Sequence, residues 1–473
     1  MRKFSFLFLF TFISCLRSIA GEDSLFMLDE SMYLNWVRKY HPVVKQSDLR
    51  VSLGKEGLRI ARGGFDPELS YSNSQKTFDG KNYFNYNQSE IRIPTRLGLQ
   101  VYGGLENNFG DLVNDEVTLD KNSYLGVSIP LLKNLVIDKR RAALSQASLT
   151  LRQAGSQKQM MLNDLFLEAR STYWDWARDY QLYRLVSDLV EINALRFGAI
   201  KESFLGGDRA AMDTLEAYSQ LQTFIREKDA ASLQFRKSTL ELSIFLWDSV
   251  GQPAYLARFV VPDTAWPEVK LPGLNLLDTD GWIQTVVKNH PELLNIEMKL
   301  RILEVEKKLK FQELLPQADF KYNYLRRGFE PWKSLSGNMF DNNYKFGVNL
   351  IVPIPNRSGI GEYKAAGIKL TDAGWEREMK LNQLSIKIKF NAYQLLNTMQ
   401  QRDLTENLVK NYRSLLDAEV MKFQLGESSV FLVNARENKF LEESKKLADL
   451  KAKYLKSYAS LIWSLGSDKV TLP

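Results

Sequence analysis

The sequence predicts an α+β chain made of two similar halves, each with a helix, a pair of strands and two very long helices. Three observations support this prediction. His41-Pro42 and His290-Pro291 lie 249 positions apart, as do Pro67 and Pro316. Aromatic and polar residues alternate after each of the later prolines, which is typical of strands. Apolar residues then recur in heptads over stretches longer than most globular helices.

The N-terminus has the features of a secretory signal peptide over residues 1–20. Arg2 and Lys3 form its charged start, Phe4–Ile13 forms an apolar run, and Ser18-Ile19-Ala20 gives small residues at the usual cleavage spacing. The apolar run is too short to span a bilayer. Cys15, the only cysteine, lies inside this segment. Either it carries a lipid or it is removed with the signal, and removal leaves no disulfide and no thiolate metal ligand.

Charge and hydropathy exclude two classes of protein. The formal net charge is +7, and it falls to +4 when the three basic residues of the signal are removed. This excess is small and spread along the chain, so nucleic-acid binding is not indicated. No later segment reaches about 18 apolar residues, so no transmembrane helix is predicted. A secreted chain of this kind can still enter a membrane as a β-barrel.

The first helix of each half is predicted from a His-Pro pair. Residues from about 29 to 62 should be helical, and a second helix should begin at Pro291, because proline suits the first position of a helix. Each helix should end near the later proline, Pro67 or Pro316. We interpret His41 and His290 as helix-start residues, since two histidines alone cannot make a metal site. No metal or other cofactor is predicted.

Four segments are predicted as strands, two in each half. They are Leu69–Ser72, Tyr124–Pro130, Phe320–Tyr324 and Phe346–Pro353. Their alternation fits transmembrane barrel strands, but it fits a half-buried strand of a soluble sheet equally well. Between the first two segments, residues 81–121 contain another candidate strand pair, around Glu90–Ile93 and Leu97–Leu105. Their Asn and Gly content favours a loop hairpin instead.

Long helices account for most of the remaining chain. A heptad seam runs along one predicted helix over residues 139–204, which would be on the order of 100 Å long. The seam comprises Leu162, Phe166, Ala169, Tyr173, Trp176, Tyr180 and Tyr183, followed by Val190, Ala194 and Phe197. A second long helix is predicted over residues 363–425. Each is followed by a glycine turn and a further helix, over residues 209–247 and 429–465. We interpret the aromatic stripe as core rather than as a ligand site.

The two glycine turns are the candidate functional positions. Gly206, Gly207 and Gly426 interrupt long helices where the chain must reverse, because glycine tolerates positive φ at a helix end. Asp208 and Glu427 follow these glycines directly. An ordinary helix hairpin would explain the same pattern.

These phrases, in this order, resemble the outer-membrane efflux factor family, the TolC-like outer membrane channel proteins. The resemblance covers essentially the whole chain after the signal, in two repeats over residues 21–270 and 271–473. Besides the His-Pro starts, the matching phrases are Ile129-Pro130-Leu131, Val352-Pro353-Ile354, Ala142-Ala143, Ala365-Ala366, Tyr173-Trp174-Asp175, Phe204–Asp208, Phe423–Glu427, Met212–Ala217 and Phe431–Ala435.

The resemblance implies a homotrimer in which each protomer gives four strands to one twelve-stranded β-barrel in the outer membrane. Coiled-coil helices would continue this barrel as a tunnel through the periplasm. The tip turns would dock a periplasmic adaptor and constrict the tunnel. Some family members ring the closed aperture with acids of the second-half phrase, but here Leu432–Ala435 contains none. Asp213 and Glu216, together with Arg436, are therefore the candidate aperture charges, and a solvated position on a helix face is the alternative for each of them.

The function implied is a passive exit duct of a tripartite efflux system in the Gram-negative cell envelope. An inner-membrane transporter would pump small molecules into it through the adaptor, and outer-membrane lipid would surround the barrel. Two alternatives stay open at this point: an exit duct for type I protein secretion, and a periplasmic coiled-coil structural protein. No Ser-His-Asp order, P-loop or paired-cysteine motif occurs, so no enzyme is predicted.

Overall fold

The structure is a computed structural model that describes residues 25–114, 116–264, 266–267, 279–329 and 343–466. The predicted signal peptide, with Cys15, lies outside the described residues. The helices of the described part are α1 (Glu30–Tyr40), α2 (Pro42–Gly63), α3 (Lys139–Leu205), α4 (Ala211–Ser243), α5 (Thr279–Asn289), α6 (Pro291–Gln312), α7 (Arg357–Gln424) and α8 (Val430–Ser464). The four long predicted helices are thus confirmed as α3, α4, α7 and α8. Within the described residues, no helix combines the length and apolar character needed to cross a bilayer.

The described strands form two sheets. They are β1 (Phe26–Leu28), β2 (Glu68–Phe78), β3 (Lys81–Pro94), β4 (Gln100–Phe109), β5 (Asp120–Pro130), β6 (Val260–Pro262), β7 (Gln317–Arg327) and β8 (Tyr344–Ile351). A short parallel pair joins β1 to β6, and the other six strands form one antiparallel sheet in the order β2-β3-β4-β5-β7-β8.

The prediction of four strands per protomer is wrong, because the sheet contains six. The segment interpreted as a loop hairpin forms β3 and β4, which are 14 and 10 residues long. Both strands pair along their length with a neighbour on each side, β2 beside β3 and β5 beside β4. Ladder hydrogen bonds on both sides outweigh the weak strand preference of Asn and Gly.

The chain divides into two units. Of the described residues, one unit contains those up to Asp48, those within Gln159–His290 and those from Asn382 onward, and the other contains those within Leu49–Lys158 and Pro291–Leu381. The core of the first unit is aromatic. Trp176 is 0 % exposed, and its indole Nε1 donates to Thr239 Oγ1 at 2.9 Å. Tyr173, also 0 % exposed, stacks on the buried ring of Tyr33. The predicted aromatic seam is therefore confirmed as core.

The buried stripe of α3 leaves the predicted heptad frame after Tyr180. Its next fully buried members are Val186, Leu189, Asn193 and Ile200, whereas the predicted seam residue Ala194 is exposed. From Val186 onward each buried position lies one residue before the predicted frame, because one step of four residues is replaced by a step of three. A shift of one residue moves the apolar stripe by about 100° to a neighbouring face of the helix.

The helix predicted over residues 29–62 is interrupted at His41. The backbone N–H of His41 donates to Val37 O at 3.0 Å and ends α1, while its Nδ1 accepts from Val43 N at 3.2 Å and begins α2. The ring stacks on Phe245, and burial lowers the pKa of His41. The predicted helix starts at Pro42 and Pro291 are confirmed, with His290 following the end of α5.

In the second unit, four helical segments pack side by side in the order α2-α3-α6-α7. Gly54 of α2 lies so close to Leu151 of α3 that an added Cβ would meet it at 3.3 Å, which is tighter than an ordinary contact. Gln153 of α3 reaches the carbonyl of Asn295 in α6 at 3.5 Å. A ladder of ion pairs then joins α6 to α7. It comprises Glu292–Lys380, Lys299–Glu376, Glu306–Lys369 and Lys310–Glu362.

Candidate functional site

The turn between α3 and α4, called here the first tip, spans residues 206–210. Gly207 has φ +86°, and its N–H donates to Phe204 O at 3.0 Å. Asp208 N donates to Ser203 O at 2.9 Å, five residues back. This pair of bonds is a Schellman motif, in which a residue of positive φ ends the helix and satisfies its last carbonyls.

The turn between α7 and α8, called the second tip, spans residues 425–429 and repeats this geometry. Gly426 has φ +81°, and its N–H donates to Phe423 O at 3.1 Å, while Glu427 N donates to Lys422 O at 2.9 Å. Ser429 then caps α8 by accepting from Leu432 N at 3.3 Å. Two long helices of one chain therefore end in the same local structure.

Gly207 and Gly426 occupy equivalent positions in the two Schellman turns, and Gly206 does not. Gly206 is not among the positive-φ residues, and an added Cβ there would meet its nearest atoms at 3.6 Å. It occupies the cap position just before the left-handed residue. The expectation that Gly206 is needed for positive φ is therefore wrong, and only Gly207 and Gly426 carry that requirement.

The acids next to the turns differ in their surroundings. Asp208 and Glu427 are exposed. Asp213, a candidate aperture acid, is half-buried and lies 3.8 Å from the guanidinium of Arg209. That guanidinium also lies 4.4 Å from the ring centroid of Phe423, so it ties the first tip to the end of α7.

The other two candidate aperture charges lie in the second turns of α4 and α8. Glu216 is half-buried on α4. Arg436 Nε lies 3.7 Å from Glu419 Oε2, and Glu419 also accepts from Ser428 Oγ at 2.5 Å. Within one chain, Asp213 and Arg436 thus each face an opposite charge, and these contacts stabilise the tips themselves.

A buried ion pair close to the tips escaped the sequence analysis. Glu437 of α8 is 1 % exposed and accepts from both guanidinium nitrogens of Arg196 on α3, at 3.0 and 3.1 Å. Asn193 Nδ2 donates to the same carboxylate at 3.0 Å. The sequence does contain a signal for this ion pair, because Glu437 occupies a seam position between the buried Val433 and Phe440. A charge at such a position predicts a buried partner.

Large apolar side chains are exposed around both tips. Their members are Phe204, Leu205, Met212 and Leu215 at the first tip, and Leu425, Phe431 and Leu432 at the second. Exposed fractions reach 70 % at Leu425 and 74 % at Met212. An apolar groove between α3 and α4 is lined by Phe197, Phe204, Leu215 and Tyr218. A helix end with so much exposed apolar surface is typical of a binding surface.

The six-stranded sheet has one apolar face. Strand register aligns its side chains in rows that cross the sheet. One row contains Ile93, Val101, Val127, Tyr322 and Phe346, and the next contains Leu69, Ile91, Gly103, Leu125, Tyr324 and Tyr344. Further along the strands, the same face turns polar at Asn73, Asn85 and Asn87, whose amides hydrogen-bond one another at 2.5–3.0 Å.

The opposite face of the sheet is polar. Tyr102 and Tyr124 lie flat across Gly126 and Gly104 of the neighbouring strand, where no other side chain would fit. Tyr102 Oη donates to Asn323 Oδ1 at 2.6 Å. The other members of the polar face include Glu90, Arg92, Glu106, Lys321 and Lys345. An antiparallel sheet with this alternation has one face suited to apolar surroundings and one face suited to water.

Comparison with known proteins supports one fold. No family model matches the chain, and no curated protein matches it significantly. Among solved structures, the chain is similar to the CmeC outer membrane channel of Campylobacter jejuni, with TM-score 0.64 and 13 % identity over 92 % of this chain and 85 % of that one. It is similar to CusC, with TM-score 0.66 and 12 % identity over 95 % of each chain. It is also similar to the outer membrane protein VceC of Vibrio cholerae, with TM-score 0.63 and 14 % identity over 92 % and 95 %.

These likenesses show the fold. The chain has the fold of TolC-like outer-membrane channels, as the sequence phrases had implied. Each of the three structures covers 92–95 % of this chain.

Proposed function

We propose that this protein is a channel of the Gram-negative outer membrane that works as a homotrimer, with long helices forming a tunnel into the periplasm. It would be the passive exit duct of a tripartite efflux system. An inner-membrane transporter, acting through a periplasmic adaptor, would supply the small molecules and the energy. The observation that carries this proposal is the six-stranded sheet, which has one apolar face, one charged face and two unpaired edges.

The apolar face is about as tall as the apolar band of an outer-membrane barrel. On β7 it carries Ala318, Phe320, Tyr322 and Tyr324 before reaching Arg326. About eight residues at ~3.3 Å each, tilted by about 40°, rise ~20 Å, which is close to the ~25 Å apolar band of outer-membrane barrels. The amide ladder around Asn73 lies where that band ends. Lipid against the apolar face and water against the charged face would suit the side chains of both faces.

The unpaired edges favour several copies around one barrel. Open edges with unpaired N–H and C=O groups are not tolerated in hydrocarbon, so strands of other copies must close the sheet. We also propose that the two halves of the chain, 21–270 and 271–473, arose by duplication. Supporting this, each begins with a His-Pro junction between two helices and each ends in two long helices joined by a Schellman turn.

The tips are the surface that we propose for the adaptor. They carry exposed apolar side chains at chain reversals held by Arg209 and by the turn hydrogen bonds. A partner with apolar residues at its own helix ends would bury this surface. Asp208 and Glu427, exposed beside the turns, would then lie at the rim of the contact and influence partner choice.

Two measurements test the proposal. Fractionation should place the protein in the outer membrane, extractable only with detergent and recovered as a trimer. A monomer released by osmotic shock would overturn the channel and favour a periplasmic structural protein. Cells lacking the protein should also gain sensitivity to small toxic compounds, and an unchanged sensitivity together with lost export of a protein would favour a secretion duct.

A substitution pair tests the adaptor surface. Leu425→Asp replaces an exposed apolar side chain at the second tip, and Gln424→Asp adds the same charge beside it without removing apolar surface. We expect Leu425→Asp to abolish co-purification of the adaptor and cellular resistance to small toxic compounds. The abundance of the trimer should stay normal, because an exposed position contributes little to folding. Gln424→Asp should retain both. Equal behaviour of the two variants would refute docking at this turn.

A further inference from the structure

The antiparallel sheet ends in two strands that each lack one neighbour. β2 and β8 are paired on one side only, by β3 and β7, and all their residues are exposed. The two edge strands run in opposite directions, because five successive antiparallel pairings separate them. Strand β8 of one copy can therefore extend the alternation by pairing with β2 of another.

Two helices connect directly to the two edge strands of the sheet. α2 leads directly into β2, and β8 leads directly into α7. In the helical order α2-α3-α6-α7, α2 and α7 are the outer members, just as β2 and β8 are the outer strands of the sheet. Any contact that closes the sheet edges between copies will therefore bring α7 of one copy beside α2 of the next.

Both outer helices present an apolar stripe that nothing in the chain covers within the described residues. On α2 it consists of Leu49, Leu53 and Ile60, which are 67, 73 and 78 % exposed. On α7 it consists of Ile368, Trp375 and Met379, which are 70, 68 and 61 % exposed. The spacings of four and seven residues are those of a heptad seam, which forms when a second helix packs against it.

We propose that one continuous seam joins neighbouring copies of this chain. In it, β8 pairs antiparallel with β2 of the next copy, and the α7 stripe packs on the α2 stripe of that copy. This inference rests on the proposed trimer and fixes its composition. Since each copy contributes six strands, three copies form a barrel of eighteen strands, where four strands per copy would form twelve.

The strand number sets the width of the exit. Barrel diameter grows roughly in proportion to strand number, so eighteen strands give about 1.5 times the diameter of twelve. Barrels of about 16–18 strands hold an open aqueous channel. The flat packing of Tyr102 and Tyr124 on glycines keeps these two rings close to the wall, on the polar face that would line this channel. The added hairpin thus makes a wide, charged outer end.

Cysteine pairs test the strand contact in the full chain, whose only cysteine is Cys15. Gly347→Cys lies on the polar face of β8, where an added Cβ meets nothing within 4 Å. It is combined in turn with cysteine at each polar-face position of β2. These positions are Glu68, Ser70, Ser72, Ser74 and Lys76.

We expect one of these combinations, or two adjacent ones, to give disulfide-linked dimers and trimers on non-reducing gels. A disulfide needs Cβ atoms about 3.8 Å apart, so only residues on the same face of paired strands can form it. Val348→Cys, on the apolar face, should link to none of the five. Bonds formed within single chains, or no bond at any position in a sample that is still trimeric, would overturn the seam.

Two further measurements separate this inference from the proposed function. Trp375→Asp should lower the trimer-to-monomer ratio about tenfold or more, because the buried stripe would then contain an unpaired charge, whereas Trp375→Leu should not. Electron cryomicroscopy of the trimer should show eighteen strands in cross-section. A trimer with twelve strands would refute the inference and leave the channel standing, whereas the absence of any trimer would refute both.

Discussion

The ion pair between Arg196 and Glu437 allows the sharpest test of the helical part. Glu437→Gln keeps the shape and removes the charge, so the guanidinium of Arg196, whose side chain is 12 % exposed, loses its counter-ion. Breaking a buried pair by neutralising one partner typically costs about 3–5 kcal/mol. Because both guanidinium bonds, at 3.0 and 3.1 Å, end on this carboxylate, we expect a loss in that range.

The exposed pair Arg413–Asp417 on α7 provides a matched control, since its side chains are 53 and 59 % exposed. Asp417→Asn removes the same kind of charge but should change the free energy of unfolding by less than about 1 kcal/mol. The assay is guanidinium chloride unfolding of the detergent-solubilised protein, followed by far-ultraviolet circular dichroism. Limited trypsin digestion near Lys201 adds a local measurement, because loss of the pair frees α3 from α8 beside the first tip.

The double substitution Arg196→Met with Glu437→Met distinguishes a buried pair from a generally sensitive position. Replacing both charges with apolar side chains of similar length should recover most of the stability lost by Glu437→Gln. If Glu437→Gln and Asp417→Asn have equal small effects, the pair is hydrated in the assembled protein, and the reasoning fails.

Three further predictions concern the core, the first tip and the first helix junction. Trp176→Asp should prevent trimer accumulation in the outer membrane, whereas Trp176→Phe should not, as membrane immunoblots will show. Gly207→Ala should cost about 1–2 kcal/mol in unfolding titrations because of its positive φ, and Gly206→Ala should cost less. Burial lowers the pKa of His41, so the folded state binds a proton more weakly than the unfolded state. Stability from this group should be complete above about pH 6.5 and decline as the pH falls below it, and His41→Asn, which keeps a capping acceptor, should remove that dependence in thermal melts.

The long helices could be predicted from sequence because their signals are local. Heptads of apolar residues around Trp176, and prolines at 42 and 291, each act within a few turns of one helix. The existence of the two tip turns could be predicted in the same way. Which glycine of the first tip takes the left-handed conformation could not be predicted, because Gly206 and Gly207 are both compatible with a helix end and only the Schellman hydrogen bonds distinguish them.

Strand number escaped prediction for a different physical reason. β3 carries Asn85 and Asn87 on the face where a barrel strand usually shows apolar residues, so the apolar alternation that is visible at Ile91 and Ile93 is interrupted. Those amides hydrogen-bond across to Asn73 on β2, beyond the apolar rows of the sheet. The stability of such a strand comes from its two neighbours, whose paired residues lie up to 24 positions away in sequence, and a pattern within one segment does not contain that information.

Asn193 of α3 and Glu437 of α8 are polar residues in otherwise apolar seams, and they determine the register in which the two helices pack. Asn193 and Glu437 occupy positions where an apolar residue would pack at no desolvation cost, and their contact holds only when α3 and α8 meet in one register. A slip by one heptad would bury both polar groups against apolar side chains, at a cost of several kcal/mol. A pure apolar seam tolerates such slips far better. Heptad periodicity therefore predicts that these helices pack, while the buried charge fixes where along their length they pack, and with it the level at which the two tips end.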